Sequence, residues 1–191
     1  MSTNVNRQII LASGSPRRRE LLERLGLPFT VVPSEFEEYL DDARSVEEIA
    51  KELGIGKARE VAARYPEAIV IGGDTIVTVG TVQLGKPEDI DDARRMWQLV
   101  TSGPNIVTTS LAVVCLAEQY DRVVCDQATV TFKPYDEQAI EAYLATGDYA
   151  DKAGAWSIQH ARHLIESVEG SQDTIIGLPI RYLRELLGPV A

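Results

Sequence analysis

The chain has 191 residues, 45% hydrophobic and 25% charged, a composition that fits an ordinary soluble globular protein and excludes disordered and collagen-like classes. At this length one domain over residues 1–191 is expected, with a single core burying roughly 70% of the unfolded surface. Lys and Arg number 19 against 29 Asp and Glu, a formal net charge of −10 that argues against nucleic acid and against an anionic membrane as partners.

The N-terminal stretch MSTNVNRQII lacks a signal peptide's long apolar segment, and no apolar run approaches the roughly 18 residues of a membrane span, so a cytoplasmic address is expected. Residues 7–13 read as a short strand. Ser-Gly-Ser-Pro then opens a helix that carries Leu21, Leu22 and Leu25 on one face and stops at Gly26 and Pro28. A second strand is expected over 29–33, followed by an acidic loop. From Val46 to Tyr65 the apolar residues recur at helical spacing, with Gly54 and Gly56 as a soft spot.

Residues 68–79, AIVIGGDTIVTV, give a continuous β-branched run that predicts a buried central strand, AIVI, ending in glycines and an acid. A helix over 89–101 follows. Residues 106–116 and 122–133 predict two long antiparallel strands joined by a polar turn, and Asp136 to Ala145 a helix closed by Gly147. AWSIQ and HLIESVEG read as two further strands, and DTIIGLP leads to a last helix that buries Leu183, Leu186 and Leu187. The fold class is α/β, with a mixed sheet and flanking helices.

Cys115 and Cys125 lie ten apart in strand-like segments, which suits reduced core thiols better than a disulfide or a zinc site. His160 and His163 are the only histidines, so a catalytic metal would have to be a hard ion held by carboxylates and substrate oxygens. Neither a P-loop nor a GxGxxG fingerprint occurs, and no GxSxG elbow is present.

In ASGSPRRRELL, Ser15 is a natural N-cap and Pro16 a natural first helical residue. Arg17, Arg18 and Arg19 therefore crowd the positive end of the helix dipole. Two readings stand: an anion such as a triphosphate relieves the mismatch, or the turn is solvated and paired with Glu20 and Glu23. Asp74, after Gly72 and Gly73, either binds a hard metal or a water at a strand end or merely opens a turn. Lys57 lies in register with the apolar stripe of its helix, where it snorkels or reaches a polar cleft. Lys86 and Lys152 lie beside turns, a placement suited to phosphate and equally to solvent.

Taken together, ASGSPRRRELL, IGGDT at 71–75, LGKPED at 84–89, DKAGAWSIQ at 151–159 and EGSQDTIIGLP at 169–179 occur in the order seen in the Maf family of nucleoside triphosphate pyrophosphatases, which this chain resembles over essentially its whole length. The resemblance implies an elongated α/β fold with two lobes around a central cleft, as in inosine triphosphate pyrophosphatases. It also implies hydrolysis between the α and β phosphates with Mg²⁺ or Mn²⁺ as the divalent metal cation, and a homodimer as a candidate assembly. Carried over by motif, Asp74 would be the catalytic base and a metal ligand with Glu38. Ser13, Arg17, Arg18, Lys57 and Lys86 would bind phosphate, and Arg17, Thr75, Lys152 and Gln159 would set substrate choice.

The KAG, aromatic, IQ pattern resembles the branch acting on dTTP and UTP. A Gln159 amide can complement the N3–H donor and a carbonyl of uracil or thymine, whereas cytosine leaves it mismatched at a cost of about 1 to 3 kcal/mol. Three departures stand out. Gly73 replaces the family's usual Ala, Asn105 stands near an expected histidine, and His160 replaces the Gly after Ile-Gln. Two rival readings are a nucleotide-binding regulator of cell division that does not hydrolyse, and a purine-directed pyrophosphatase acting on 7-methyl-GTP or ITP.

Overall fold

The computed structural model describes residues 7–36 and 44–188. In chain order the strands are β1 (Ile9–Leu11), β2 (Thr30–Val31), β3 (Ile69–Gly72), β4 (Thr75–Val79), β5 (Val82–Leu84), β6 (Asn105–Cys115), β7 (Tyr120–Phe132) and β8 (Ile165–Glu169). The helices are α1 (Pro16–Glu23), α2 (Val46–Arg64), α3 (Ile90–Val100), α4 (Glu137–Leu144), α5 (Gln172–Ile176) and α6 (Leu183–Leu187). The mixed α/β class expected from the sequence is what forms. The chain divides into two compact units, one through Asp74 with Thr109–Asp126 and the residues from Gly177 onward, the other Thr75–Thr108 with Gln127–Ile176.

In the first unit β1 pairs in parallel with both β2 and β3, with Ile10 opposite Thr30 and Leu11 opposite Ile71. β6 runs antiparallel to β3, with Val70 opposite Val114 and Gly72 opposite Ala112. The helix α2 begins with a capping box in which Ser45 and Glu48 satisfy each other's backbone N–H groups, and it ends at Tyr65, as its periodicity predicts. Its Ala58, Val61 and Ala62 pack on Ile10, Val70, Ala112 and Val114.

The soft spot in α2 has a structural reason. A Cβ on Gly72 would stand 2.5 Å from the Gly54 carbonyl oxygen and 2.9 Å from the Ala58 methyl, so helix and strand touch backbone to backbone. Gly54 costs about 1 kcal/mol of helix propensity, but a Cβ there would meet Ser110 and lie 3.3 Å from the Gly73 Cα, while Gly56 makes room for the Phe36 ring.

The second unit is built on aromatic contacts. Trp97 meets Phe132 at 5.1 Å and Tyr143 at 5.4 Å, and Phe132 meets Trp156 at 5.1 Å, all edge to face. Trp97 donates its indole N–H to the Ala155 carbonyl at 3.1 Å. β7 and β8 pair antiparallel, with Val130 opposite Val168.

The strand AIVI ends in its glycines and acid as expected: β3 stops at Gly72 and the chain leaves the ladder at Gly73 and Asp74, while the rest of the run is a further strand, β4, that turns back on β5 through Gly80 at φ +58°. One expectation changes here. AWSIQ is not a strand: Gly154 at φ +74° makes a tight turn, and Trp156, although extended, spends its side chain on the aromatic core. Cys115 and Cys125 are both free, Cys115 buried and Cys125 half-buried. Burial and the nearby Glu47 carboxylate push the Cys125 thiol up to about 11. Among the described residues no helix is long and apolar enough to cross a membrane.

Candidate active site

Parallel pairing brings the C-terminal ends of β1 and β3 out side by side, and ligands of α/β sheets bind at such ends. Ser13 follows β1 by two residues and Asp74 follows β3 by two. Sequence and pairing together therefore place the serine-arginine turn and the acid on one edge of the first unit.

Asp74 is 7% exposed. Its Oδ1 accepts from Lys57 Nζ at 2.6 Å, in an ion pair whose side chains are 13% and 11% exposed. Of the two readings of Lys57, the reach into a polar site is the one that holds. The lysine projects from the sheet-facing side of α2, one turn beyond Leu53, toward a carboxylate. An ionised carboxylate offers about four acceptor sites, and Lys57 takes one of them.

The main chain of Asp74 is held just as closely. Its N–H donates to the Ser110 hydroxyl oxygen at 3.0 Å, and its carbonyl accepts from the Ser110 N–H at 2.9 Å.

The three arginines of α1 have three different surroundings. Arg19 is exposed and bonds Glu23 at 2.8 Å, the solvated pairing expected of a basic turn. Arg18 donates from Nε to the Gly177 carbonyl at 2.8 Å and from Nη1 to the Ser13 hydroxyl at 3.3 Å. That hydroxyl also accepts from the Ser15 N–H at 3.2 Å. Arg17 has a buried Nε with no hydrogen-bond partner among the described residues. A buried guanidinium donor without an acceptor is costly, and at a helix N-terminus it fits an anionic ligand.

Glu38 lies outside the described residues. Among the described residues no group of three His, Cys, Asp or Glu could hold a metal ion. Among the described residues the candidate carboxylate here is Asp74, a hard oxygen donor that suits a divalent cation taking its other ligands from phosphate and water.

The remaining predicted residues belong to the second unit. Thr75 is half-buried at the start of β4, Lys86 is exposed after β5, and Gln159 is exposed. Lys152 is 8% exposed and pairs with Asp151 and, at 3.4 Å, with Asp148. Asp148 is the hub of this segment: it also accepts from the Ser157 hydroxyl and from the Tyr143 hydroxyl at 3.2 Å, and it lies 3.1 Å from His160 Nδ1. Burial raises its pKa, but the Ser157 hydroxyl and the Lys152 and His160 charges outweigh it, so the carboxyl titrates below its usual range. Burial and the Asp148 charge together raise the Tyr143 phenol.

Asn105, found near the expected histidine, is fully buried and donates to the Val100 and Gly103 carbonyls at 2.7 and 3.1 Å. It closes the end of α3. Sequence reasoning missed Ser110, Gly177 and Asp148. Ser110 left only a weak signal, as the last of three consecutive hydroxyl residues, Thr108 to Ser110, before the apolar run Leu111 to Cys115. Gly177 acts through its carbonyl, which carries no residue signature.

A family model described as Maf-like protein matches residues 8–190. The chain is 41% identical over 181 residues to a Symbiobacterium thermophilum protein named dTTP/UTP pyrophosphatase, covering 94% of this chain and 92% of the relative. A Moorella thermoacetica protein of the same name is 42% identical over 185 residues, covering 94% and 93%. One from Bacillus cereus strain B4264, again so named, is 40% identical over 182 residues, covering 94% of each.

Proposed function

The chain belongs to the Maf family, and on that premise we propose that it is a nucleoside triphosphate pyrophosphatase, hydrolysing dTTP and UTP to the monophosphate and pyrophosphate. One observation carries the substrate class: identity of 40% to 42% over 94% of the chain to proteins named for that activity. The geometry around Asp74 supports the chemistry. As base, Asp74 takes a proton from the water that attacks the α-phosphorus, and the bond to the oxygen bridging α and β breaks. Arg17 and Arg18 at the head of α1, with Lys57, compensate the charge that collects on the departing pyrophosphate. Ser13 fixes the Arg18 guanidinium and offers its own hydroxyl to a phosphate oxygen.

A divalent cation, Mg²⁺ or Mn²⁺, would be held by Asp74 and, by motif, Glu38. When bound it supplies positive charge to the phosphate oxygens and acidifies water. Lys86 is assigned by motif to phosphate. Thr75, Lys152 and Gln159 are assigned by motif to base selection together with Arg17, the Gln159 amide pairing with N3–H and a carbonyl of the pyrimidine. The enzyme acts in the cytoplasm on the free nucleotide pool, as a single catalytic domain.

Pyrophosphate release across dTTP, UTP, CTP, ITP and 7-methyl-GTP tests this reading. The expected result is dTTP and UTP ahead of CTP by roughly tenfold or more, the value of one unmet hydrogen bond in a dry pocket. A purine preference overturns the substrate assignment. Nucleotide binding without turnover of any of the five favours the regulator instead.

A further inference from the structure

We infer that Ser110 is a positioning residue for Asp74, and that Gly54 exists to admit its hydroxyl. The inference rests on Asp74 being the catalytic base. The register of β3 on β6 pairs Val70 with Val114, Ile71 with Val113 and Gly72 with Ala112. Continued by two residues it sets Asp74 opposite Ser110. In an antiparallel hydrogen-bonded pair, two opposed residues exchange both N–H to C=O bonds.

Here only half of that exchange is made. The Ser110 N–H reaches the Asp74 carbonyl at 2.9 Å, but the Asp74 N–H turns to the Ser110 hydroxyl oxygen at 3.0 Å. The side chain has replaced its own carbonyl as acceptor. The ladder therefore ends at Gly72, and Asp74 leaves the pleat with the peptide groups on both sides of its Cα fixed. Those two bonds aim the Cα to Cβ direction, while Lys57 holds the carboxylate end.

Room for this device comes from α2. A Cβ at Gly54 would overlap the Ser110 hydroxyl and lie 3.3 Å from the Gly73 Cα. Ser110 is fully buried, so neither water nor a surface rotamer can take over the bond. A glycine in mid-helix, a hydroxyl in a buried strand and a break in the ladder are thus three parts of one arrangement.

The test is a set of variants assayed for dTTP turnover and for binding of a non-hydrolysable α,β-imido dTTP. Ser110→Ala keeps the N–H to carbonyl bond and removes the acceptor. It is expected to lower kcat roughly 10- to 100-fold, the scale of a slightly misplaced catalytic group, with KM and analogue binding within about threefold of wild type. Ser110→Cys conserves bulk but supplies only a weak acceptor, and it is expected to behave likewise should the alanine variant fold poorly. Gly54→Ala, which improves helix propensity, should reproduce the kcat loss by displacing the hydroxyl. Gly54→Ala combined with Ser110→Ala should be no slower than Ser110→Ala alone.

Wild-type kcat in a folded Ser110 variant, with Asp74→Asn inactive, overturns the positioning role and leaves the base intact. A raised KM with kcat unchanged overturns it equally. Full turnover by Asp74→Asn instead overturns the base assignment itself. Losses at Gly54 and Ser110 that multiply in the double variant overturn the link between those two residues.

Discussion

Lys57 Nζ lies 2.6 Å from Asp74 Oδ1, joining the middle of α2 to the end of β3 by one largely buried ion pair. Removing one member of such a pair leaves the other charge desolvated and alone, at a cost of about 3 kcal/mol or more. Lys57→Met should therefore lower stability by that order as well as abolish most turnover. Lys57→Met with Asp74→Asn should recover most of the stability and none of the activity. Urea unfolding of the four proteins at neutral pH gives the coupling, and additive losses would show that the contact carries no energy.

Gly73 stands where the family resemblance puts alanine, and its own surroundings leave a side chain no room. A Cβ at Gly73 would lie 2.6 Å from the Ser110 carbonyl oxygen, a backbone atom that cannot swing away. Gly73→Ala should therefore cost about 1 to 3 kcal/mol through forced backbone shifts and reduce kcat along with it, because the same movement disturbs the Asp74 main chain. Gly14→Ala is the matched control. Its nearest neighbour would be Pro33 at 3.8 Å, ordinary contact, so its stability should stay within about 0.5 kcal/mol of wild type. Equal losses in thermal unfolding for the two variants would contradict the crowding argument.

Period and capping signals were sufficient for α1 to α4, which Ser15, Ser45, Asp89 and Asp136 cap as their residue types favour, whereas α5, five residues long, is too short to show a period. The glycines and acid after AIVI marked the end of β3, but β4 was not legible as a separate strand, because the β-branched residues resuming at Thr75 read as one run and only a partner strand reveals where pairing restarts. AWSIQ misled because Trp156 belongs to an aromatic core that assembles from distant segments. In the site, charge and motif order pointed to Asp74, Lys57 and the arginines. The pairing of Ser110 with Asp74 was not legible, since a hydrogen bond 36 residues along the chain follows from strand register, and a hydroxyl beside Thr108 and Thr109 does not say which partner it meets.

Asn105 has a structural task separable from catalysis. Its amide caps the Val100 and Gly103 carbonyls at the end of α3, and truncation would leave buried acceptors unmet. Asn105→Ala should lose about 1 to 3 kcal/mol while kcat and KM for dTTP stay within twofold of wild type, twofold being roughly 0.4 kcal/mol in barrier height. Urea unfolding and steady-state kinetics on the same preparation check it, and a tenfold fall in kcat at unchanged stability would move Asn105 into the catalytic set.

Asp148 gives a pH signature with a definite sign. Its carboxyl titrates below the ordinary 3.8 in the folded protein, burial opposing and Ser157, Lys152, His160 and Tyr143 favouring the charged form. A depressed folded value means that the unfolded chain binds the proton more readily. The stabilisation is therefore complete above about pH 4 and is lost as pH falls through the folded value. Asp148→Asn should be less stable than wild type at pH 7, where Lys152, His160 and the Ser157 hydroxyl lose their charged acceptor. The gap should narrow below pH 4, because acid then neutralises the wild-type carboxyl as well. Unfolding free energies of both proteins from pH 7 down to pH 3 give the comparison, and curves that stay parallel across the whole range would mean Asp148 contributes nothing through its charge.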